Sequence, residues 1–454
     1  MGWRAGCTSG FSRRRWQFAW FTLMVVIPAP ALSAQPGYIE DEAPPPDSVR
    51  DIEGPLARSF KRREIGAPRF PRLREYLDTL PEFWRDTRLV LNPRMYNFDR
   101  DRSGAPHQVT FAAGVALEYR SGLWRDRFAV GLTAYTSQKL HGPRDAGGLG
   151  LLKPVQTGFG VLGEAYARIE LPPHAELRVY RQALDLPYFN RNDSRMVPTT
   201  HEAYLISQAE PRRLQWVAGH VTKMKQRDAD RFIPLSEAAG FAGTDEGASL
   251  AGLRWHFDND TNIGVITYQA WDFMNITYAE GNTLFELAED IPLLLSTQVT
   301  YQASVGDALA GDFGTYTMGA RAAVSYRNAV LSFAGTYTDE DAPIQSPFGG
   351  RPSYLSLMIA DFDRAGEAAW LAALSYNFGR FGIDGLGVNL KYARGYGDGG
   401  QPDRDEFDIT VDFKPTLNIL RGLWLRARYA TLDADDNTSS DDMRFIVNYD
   451  IPLL

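Results

Sequence analysis

The sequence predicts an all-β transmembrane protein, an antiparallel β-barrel of 18 strands with 16 as the alternative count. From about residue 86 onward, apolar and polar residues alternate along many short segments, as in strands with one apolar face. Short turns alternate with long links, as in barrels with short periplasmic turns and long extracellular loops. The chain is 44% hydrophobic and 12% aromatic, which excludes a disordered protein. It lacks the several apolar runs of about 20 residues that a helical membrane protein needs.

Residues 1–34 are typical of a cleaved secretory signal. Four arginines precede a short apolar stretch at 18–27, and the small residues of PAPALSA follow at 28–34. Removing these four of the 48 Lys+Arg leaves 44 against 56 Asp+Glu, a net charge of −12. The single cysteine, Cys7, leaves with the signal. We therefore expect no disulfide and no cysteine metal site in the exported protein.

Residues 35–85 carry no strand period and predict a separate region. The proline run APPPD at 43–47 and the basic run KRR at 61–63 are typical of a connector without a packed core. We expect a mobile periplasmic arm ahead of the barrel. The alternative is a plug that enters the barrel.

The barrel is expected over residues 86–454. These 369 residues give about 20 per strand and connection at 18 strands, and bacterial barrels use even strand numbers. Aromatic residues near segment ends, such as Trp255 and Tyr429, suit a bilayer interface. A soluble β-sandwich or a secreted barrel is the alternative. The clearest alternation lies at 111–119, 386–392, 407–413, 423–429 and 443–451.

If the apolar face meets lipid, the other face lines a water-filled lumen, and basic residues recur on that face. A guanidinium group can hold a carboxylate at two points, and a row of weak sites lets an anion enter and leave. The alternative is that these cations pair with inward acids, such as Glu164 and Asp412, and only hold the wall. The candidates for a basic ladder are Arg94, Arg168, Arg178, Arg254, Lys391, Lys414, Arg426, Arg428 and Arg444.

Two long links are candidates for constrictions that fold into the lumen. Both combine charged and aromatic side chains that can narrow a passage and contact a solute. The link at 339–366 offers Tyr354 and Arg364. The link at 185–200 offers Tyr188, Arg191, Asp193, Ser194 and Arg195.

Several motifs occur in one collinear order: RLVLNPRMYNFDRD, LEYRSGLWRDRFAVGLTAY, NDSRMVPTT, QWVAGH, GEAAWLAALSYNF, GIDGLGVNLKYARGYG, RGLWLRARYA and DMRFIVNYDIPLL. With them, residues 86–454 resemble the OprD family of outer-membrane channels. The resemblance implies an 18-stranded channel that loops three and seven narrow, with a basic ladder for small carboxylates. Lys391, Arg426, Arg428 and Arg444 fall where that family carries basic lumen residues, and Arg195 falls in the third-loop motif. Arg94, Arg178 and Arg254 are further candidates.

We therefore expect passive, substrate-selective uptake of small carboxylate-bearing solutes across a Gram-negative outer membrane, with no cofactor and no metal. The expected partners are anionic solutes, outer-membrane lipid and the barrel-assembly machinery, without nucleic acid. The chain is expected to be a monomer or a weak oligomer. A general diffusion porin, an outer-membrane barrel hydrolase and an adhesin or receptor are the alternatives.

Motifs of enzymes are weak in this sequence. The GxGxxG pattern at 158–163 precedes an alternating segment, whereas a dinucleotide site needs a following helix. The six histidines show no HxH or HxxxH spacing, and no GxSxG elbow is present. A barrel hydrolase would need a serine and a histidine together on the outer face. His256 is the nearest candidate, and no serine is clearly paired with it.

Overall fold

A computed structural model describes residues 48–51, 68–145, 147–171, 173–208, 213–241 and 244–454. The predicted signal, 1–34, lies outside the described residues, as does most of 35–67. Within the described ranges, eighteen antiparallel strands form one closed barrel. The first nine wall strands are β1 (Arg88–Arg102), β2 (Gln108–Arg120), β3 (Phe128–His141), β4 (Phe159–Leu171), β5 (Ala175–Gln182), β6 (Thr200–Gln208), β7 (Leu214–Lys225), β9 (Ala248–His256) and β10 (Thr261–Ala270).

The other nine wall strands are β11 (Met274–Ala288), β12 (Ile291–Ser304), β13 (Gly314–Tyr326), β14 (Ala329–Thr338), β15 (Ala368–Asn377), β16 (Leu386–Tyr396), β17 (Arg404–Phe413), β18 (Leu423–Ala434) and β19 (Ser439–Tyr449). Two short strands supplement the wall. Strand β8 (Ile233–Pro234) pairs with the end of β7, and β20 (Ile451–Pro452) continues β19 along β1. The barrel closes where β1 pairs with β19. The predicted count of 18 strands is confirmed.

The two-residue period of the strands sorts side chains to the two faces of the wall. On β18, Arg426 and Arg428 are buried while Ala427 and Tyr429 are exposed. Exposed large apolar side chains recur around the outside of the barrel, as a lipid-facing surface requires. Among the described residues, no helix is long and apolar enough to cross a bilayer.

Connections of unequal length separate the two ends of the barrel. Strands meet in two-residue turns at 289–290 and 327–328, at what we call the turn end. The opposite, loop end carries the second loop (142–158), the third loop (183–199) and the seventh loop (339–367), each between two consecutive wall strands. The fourth loop there contains a helix, Leu235–Ala238.

The polar segment 433–441 forms a tight hairpin and not a long loop, because Asp433 still pairs with Ser439. Strands continue beyond the lipid at this end. Polar side chains can then face outward on a regular strand, so that a polar sequence is not evidence for a loop.

The interior of the loop end is packed with apolar side chains. The third loop inserts Leu184 and Phe189 among inward residues of β6, β9, β10 and β11. The seventh loop inserts Leu355 and Phe362 against inward residues of β14, β15 and β16. Because lipid covers the outside, the barrel's own buried core lies inside the lumen.

The turn end carries the described parts of the 35–85 region. Helix α1 (Pro71–Asp78) and helix α2 (Glu82–Arg85) lie below β1 and β2, where Phe83 O accepts from Gly122 N at 2.9 Å. Just before α1, the backbone N–H groups of Arg69 and Phe70 donate to Pro452 and Leu453. A short 3₁₀ turn, Val49–Asp51, also lies at this end, apart from these two helices.

Candidate functional site in the lumen

The third loop folds back into the barrel and is joined there to the seventh loop. Phe189 is fully buried and stacks on Phe348 at 4.6 Å and on Tyr268 at 4.9 Å between ring centroids. Asn190 bridges the loops, since its Oδ1 accepts from Gly350 N at 2.7 Å and its Nδ2 donates to Gly350 O at 2.8 Å. The two loops therefore form one packed unit across the lumen.

Two predicted residues of the third loop, Tyr188 and Arg191, hold its base. The Tyr188 hydroxyl donates to Thr300 Oγ1 on β12 at 2.9 Å. Arg191 donates to both carboxylate oxygens of Asp185, at 2.8 and 2.9 Å. Burial raises the pKa of Asp185 to about 6, although the Arg191 guanidinium opposes that shift. Both residues hold the loop in place.

The tip of the third loop is tied to the wall and to another loop. Asp193 accepts from Arg94 on β1 at 2.6 and 3.0 Å. Ser194 Oγ accepts from Arg227 of the fourth loop at 2.7 Å. The charge of Arg94 is thus balanced by a loop carboxylate.

Arg195, which the sequence places in the same motif, is half-buried beside the wall of β1. Its Nε donates to Leu149 O at 2.8 Å, and its guanidinium lies 5.1 Å from the centre of the Phe98 ring. Burial, followed by the neighbouring Arg444 and Arg227, lowers the pKa of Arg195 from the usual arginine value. Arg195 of the third loop therefore lies over the same aromatic ring as Arg444 of the wall.

The two predicted residues of the seventh loop lie at its middle and base. Tyr354 packs under Arg321 of β13, with 4.6 Å from the guanidinium carbon to the ring centre. Arg364 donates to Glu367 at 2.8 Å, and Glu367 also accepts from Arg404 at 2.6 Å. Arg364 is thus part of a three-residue charge cluster at the loop base.

The tip of the seventh loop reaches across to β17 and β19. Met358 O accepts from Arg444 Nη2 at 2.7 Å. The backbone N–H groups of Ile359 and Ala360 donate to the two carboxylate oxygens of Glu406, at 2.7 and 2.8 Å. This tip therefore contacts the same wall segment as Arg195 of the third loop.

Phe98 lies at the point where the two loops converge. Three guanidinium groups surround its ring, at 5.0 Å for Arg100, 5.1 Å for Arg195 and 4.4 Å for Arg444. Asp442 accepts from Arg100 and, at 2.6 Å, from Arg444. Three cations thus surround one aromatic ring, and one carboxylate pairs with two of them. We call this group the Phe98 cluster (Phe98, Arg100, Arg195, Asp442 and Arg444).

The Phe98 cluster continues along the wall into the predicted ladder. Arg428 on β18 stands opposite Arg444 on β19, and Arg444 stands opposite Phe98 on β1. Arg428 Nε donates to Thr410 Oγ1 at 3.1 Å. The register therefore places two cations and an aromatic ring side by side across three adjacent strands.

The remaining ladder candidates of this wall lie on neighbouring strands. Arg426 donates to both oxygens of Asp412, at 2.8 and 3.0 Å, and is almost fully buried. Lys391 on β16 stands opposite Asp408 on β17. Cations and acids thus alternate across this wall.

Three further candidates, Arg168, Arg178 and Arg254, stand apart from that wall, and Arg168 on β4 stands opposite Arg178. Lys414 follows directly after β17 and lies 4.5 Å from the centre of the Trp424 ring. Arg178 on β5 donates to Glu176 at 2.8 Å and lies over the Tyr166 ring. Arg254 on β9 donates to Asn262 Oδ1 at 2.9 Å. The ladder candidates therefore do not form one continuous row around the barrel. Those on β16, β18, β19 and β1 are Lys391, Arg426, Arg428, Arg444 and Arg94.

The basic residues of the lumen that the sequence did not identify include Arg100 and Arg321. Arg100 follows Arg94 and Phe98 at even positions of β1, so the period of two could have identified it. Arg321 lies in an alanine-rich strand whose alternation is weak. Ser325, on the same face, is the clearest indication that this face points inward. The buried inward acids Asp442 and Glu406 were also not identified from the sequence.

The outer face carries one serine–histidine contact that sequence reasoning did not identify. Ser249 Oγ lies 3.1 Å from His220 Nδ1, and Trp271 Nε1 donates to the same Oγ at 3.3 Å. A hydrolytic triad needs an acceptor that orients the histidine, whereas the indole here donates to the serine. Among the described residues, no group of three or more His, Cys, Asp or Glu side chains is placed to hold a metal ion.

Comparison with known proteins places this geometry in context. Residues 81–453 match a model described as "outer membrane porin, OprD family". Porin D of Pseudomonas aeruginosa is 24% identical over 416 residues, which are 82% of this chain and 92% of that protein.

Solved barrels share the fold. The crystal structure of Pseudomonas aeruginosa OccK9 (OpdG) matches with a TM-score of 0.76 at 22% identity, over 82% of this chain and 100% of that one. Pseudomonas aeruginosa OpdK, solved with vanillate, matches with a TM-score of 0.73 at 20% identity, over 81% and 99%. A BenF-like porin from Pseudomonas fluorescens gives the same four values as OpdK.

Proposed function

Since the chain belongs to the OprD family of outer membrane porins, we propose that it selects small carboxylate-bearing solutes for passive uptake. As a member of that family, it is an outer-membrane channel and not an enzyme. The proposed features are the class of solute that the channel admits and the residues that guide that solute. A solute would enter at the loop end, pass between the third and seventh loops, and move along the wall of β16 to β19 and β1.

The Phe98 cluster is the observation that carries the proposal. A guanidinium group offers paired N–H donors whose fork matches a carboxylate. Arg444 and Arg428 stand opposite each other at the height of Phe98, so two such groups occupy neighbouring positions. The Phe98 ring is fully buried beneath these groups and holds the guanidinium of Arg444 by a cation–π contact at 4.4 Å.

Fixed acids on the same wall make each cationic position a weak site, which favours conduction. Asp442 accepts from Arg444, and Asp412 accepts from Arg426. A permeating carboxylate must therefore compete with a resident carboxylate for each guanidinium. Conduction requires binding strong enough for entry and weak enough for release.

The packed loops support selectivity over general diffusion. Phe189 of the third loop and Phe348 of the seventh are fully buried against each other. A wide aqueous pore would leave such side chains in water, at a cost of roughly 1.5–3 kcal/mol for each large apolar group. Vanillate, with which OpdK was solved, is an aromatic carboxylate. It belongs to the solute class proposed for this channel.

The test is flux through the purified protein in liposomes, measured for a small carboxylate and for its neutral amide. The Arg426→Ala, Arg428→Ala double variant should reduce carboxylate flux roughly threefold to tenfold, equivalent to about 0.7–1.4 kcal/mol. Amide flux should change much less, because the amide gains little from a guanidinium.

The control is Arg394→Ala. Arg394 lies on β16 but faces outward, where it pairs with Asp405 at 2.9 Å. It removes one positive charge of the same kind without touching the lumen, so both fluxes should stay at wild-type values. Equal losses of carboxylate and amide flux in the double variant would contradict the ladder and leave a general diffusion porin.

A further inference from the structure

A short segment of the chain lies inside the barrel at the turn end, away from the loops and the ladder. Val49 is almost fully buried, with 1% of its surface exposed. It packs against Leu294 on β12, Ala323 on β13 and Val330 on β14, with Leu284 of β11 at the edge. We call these four wall residues the turn-end socket (Leu284, Leu294, Ala323 and Val330).

The socket faces the lumen. Each of its residues shares the face of its strand with buried inward side chains, as Leu294 does with Ser296 and Gln298. An apolar patch on the wall of a water-filled pore has no lipid to cover it. Such a patch is normally covered by a partner, and here Val49 covers it.

Polar contacts on both sides of Val49 fix the segment in one orientation. Ser48 Oγ lies 3.3 Å from Ser325 Oγ, at the turn end of β13. Arg50 forms an ion pair with Glu286 near the end of β11. Three consecutive residues therefore match three different features of the wall: a hydroxyl, an apolar surface and a carboxylate.

These contacts differ in strength. The Arg50–Glu286 pair is about half exposed on both sides, so water and salt weaken it. Val49 is buried in apolar surroundings, and its burial is the main contribution to docking. Loss of the isopropyl group should shift the ratio of docked to undocked segment by about tenfold or more.

We propose that Ser48–Arg50 is a built-in ligand of the turn-end socket and narrows the periplasmic exit of the channel. The segment docks against β11 to β14. Arg69 and Phe70, by contrast, are hydrogen-bonded to Pro452 and Leu453 beside β1. Release of the docked segment widens the exit for every solute. Permeation through the loop end is unchanged.

The first test is single-channel conductance of the full-length exported protein in planar bilayers. Val49→Asp places a carboxylate against Leu294, Ala323 and Val330, so the segment should undock. Conductance should rise, with fewer partial closures. The control Leu73→Asp makes the same kind of change at an exposed position of α1 and should behave like the wild type.

The second test traps the segment with a disulfide. The exported protein has no cysteine of its own once Cys7 leaves with the predicted signal. Ser48→Cys with Ser325→Cys should therefore form one bond under oxidising conditions, seen as a mass loss of two hydrogens. Conductance should be lowest in the oxidised protein and should rise when a reductant is added.

Three results would overturn the proposal. The first is a conductance of Val49→Asp equal to that of the wild type, and the second is an equal rise in conductance in Leu73→Asp. The third is a double-cysteine protein that does not cross-link, or whose conductance does not change when the reductant is added. These three results do not test the basic ladder. Val49→Asp should raise carboxylate and amide flux together, whereas the arginine variants change their ratio.

Discussion

Two walls of the same barrel differ in the side chains that they present to the lumen. The charged wall, from β16 to β19 and on to β1, carries inward cations and acids in alternation, as in Arg426 with Asp412 and Arg444 with Asp442. The hydroxyl wall, from β12 to β14, is neutral on its inward face except for Arg321. Its inward polar residues are Ser296, Gln298, Thr300, Gln302, Thr315, Thr317, Ser325, Ser332, Thr336 and Thr338.

The loops contact the two walls differently. On the hydroxyl wall, Tyr188 and Gln345 make neutral hydrogen bonds, to Thr300 and Gln302. On the charged wall, the same two loops meet guanidinium groups and carboxylates, as Asp193 does with Arg94. Neutral contacts can hold a loop without competing with an anion. The difference implies that one wall supports the constriction and the other acts on the solute.

The largest expected effect is on the charged wall, at Asp442. Asp442→Asn keeps the shape of the side chain but removes the carboxylate that balances Arg100 and Arg444. The channel should become more anion-selective, measured as a shift in reversal potential across a salt gradient. Breaking a buried ion pair typically costs about 3–5 kcal/mol, so thermal unfolding should also begin at a lower temperature.

The matched control is the preceding residue in the chain. Asp441 faces outward and accepts from the Tyr429 hydroxyl at 2.7 Å. Asp441→Asn makes the same chemical change outside the lumen and should leave the reversal potential unchanged. The distinction between the inward and outward faces fails if both variants shift it equally.

A smaller effect is expected on the hydroxyl wall, at Gln302. This buried side chain donates to Gln345 O at 2.7 Å and accepts from Gln345 N at 2.8 Å. Gln302→Leu leaves both backbone groups without their partner, at about 1–3 kcal/mol. The seventh loop should loosen, seen as faster proteolysis within 339–367, and neutral and anionic flux should rise together.

Gln298→Leu is the control on the same strand face. The Oε1 of Gln298 is buried without a hydrogen-bond partner among the described residues, so its removal should cost little. Loop proteolysis should match the wild type. If Gln302→Leu changes the carboxylate-to-amide ratio, the hydroxyl wall acts on the solute and the comparison is wrong.

The smallest effect is pH dependence from Asp363 in the seventh loop, which faces Arg351, Asp361 and Arg404. Burial raises the pKa of Asp363 from 3.8 to about 6, and the ion pair with Arg351 opposes that shift only in part. Because the folded state holds the proton more tightly, this group stabilises the loop below its unfolded pKa. That stability is lost as pH rises through about 6.

Acidification from pH 7 to pH 5 should therefore neutralise Asp363, together with Asp185 of the third loop, whose pKa is also about 6, and raise anion selectivity slightly. The measurement is the reversal potential at both pH values. Asp363→Asn should show a smaller change than the wild type. A change of the same size in Asp363→Asn would assign the titration to another group.

The sequence predicted most of the wall because the period of two is set locally. Lipid selects apolar residues at every second position, and the lumen selects polar ones, so Arg426 and Arg428 could be assigned to one face without a structure. The third and seventh loops were likewise identified by length and composition. Alternation along a strand needs no knowledge of distant contacts.

Pairing partners could not be predicted, because they depend on register between strands far apart in the chain. Arg94 meets Asp193 across about 100 residues, and Arg444 meets Met358 O across 86. The socket for Val49 was equally hidden, since its residues come from four strands. A single sequence contains no signal for such contacts beyond the chemical complementarity of the residues.

The central claim is that cations of the charged wall guide carboxylates. The most direct measurement is the ratio of carboxylate to amide flux through the wild-type channel at low and at high salt. Electrostatic guidance weakens as the screening length falls from about 10 Å at 0.1 M to about 3 Å at 1 M. We expect a ratio well above one at low salt that falls toward one at high salt. A ratio near one at both concentrations would contradict it.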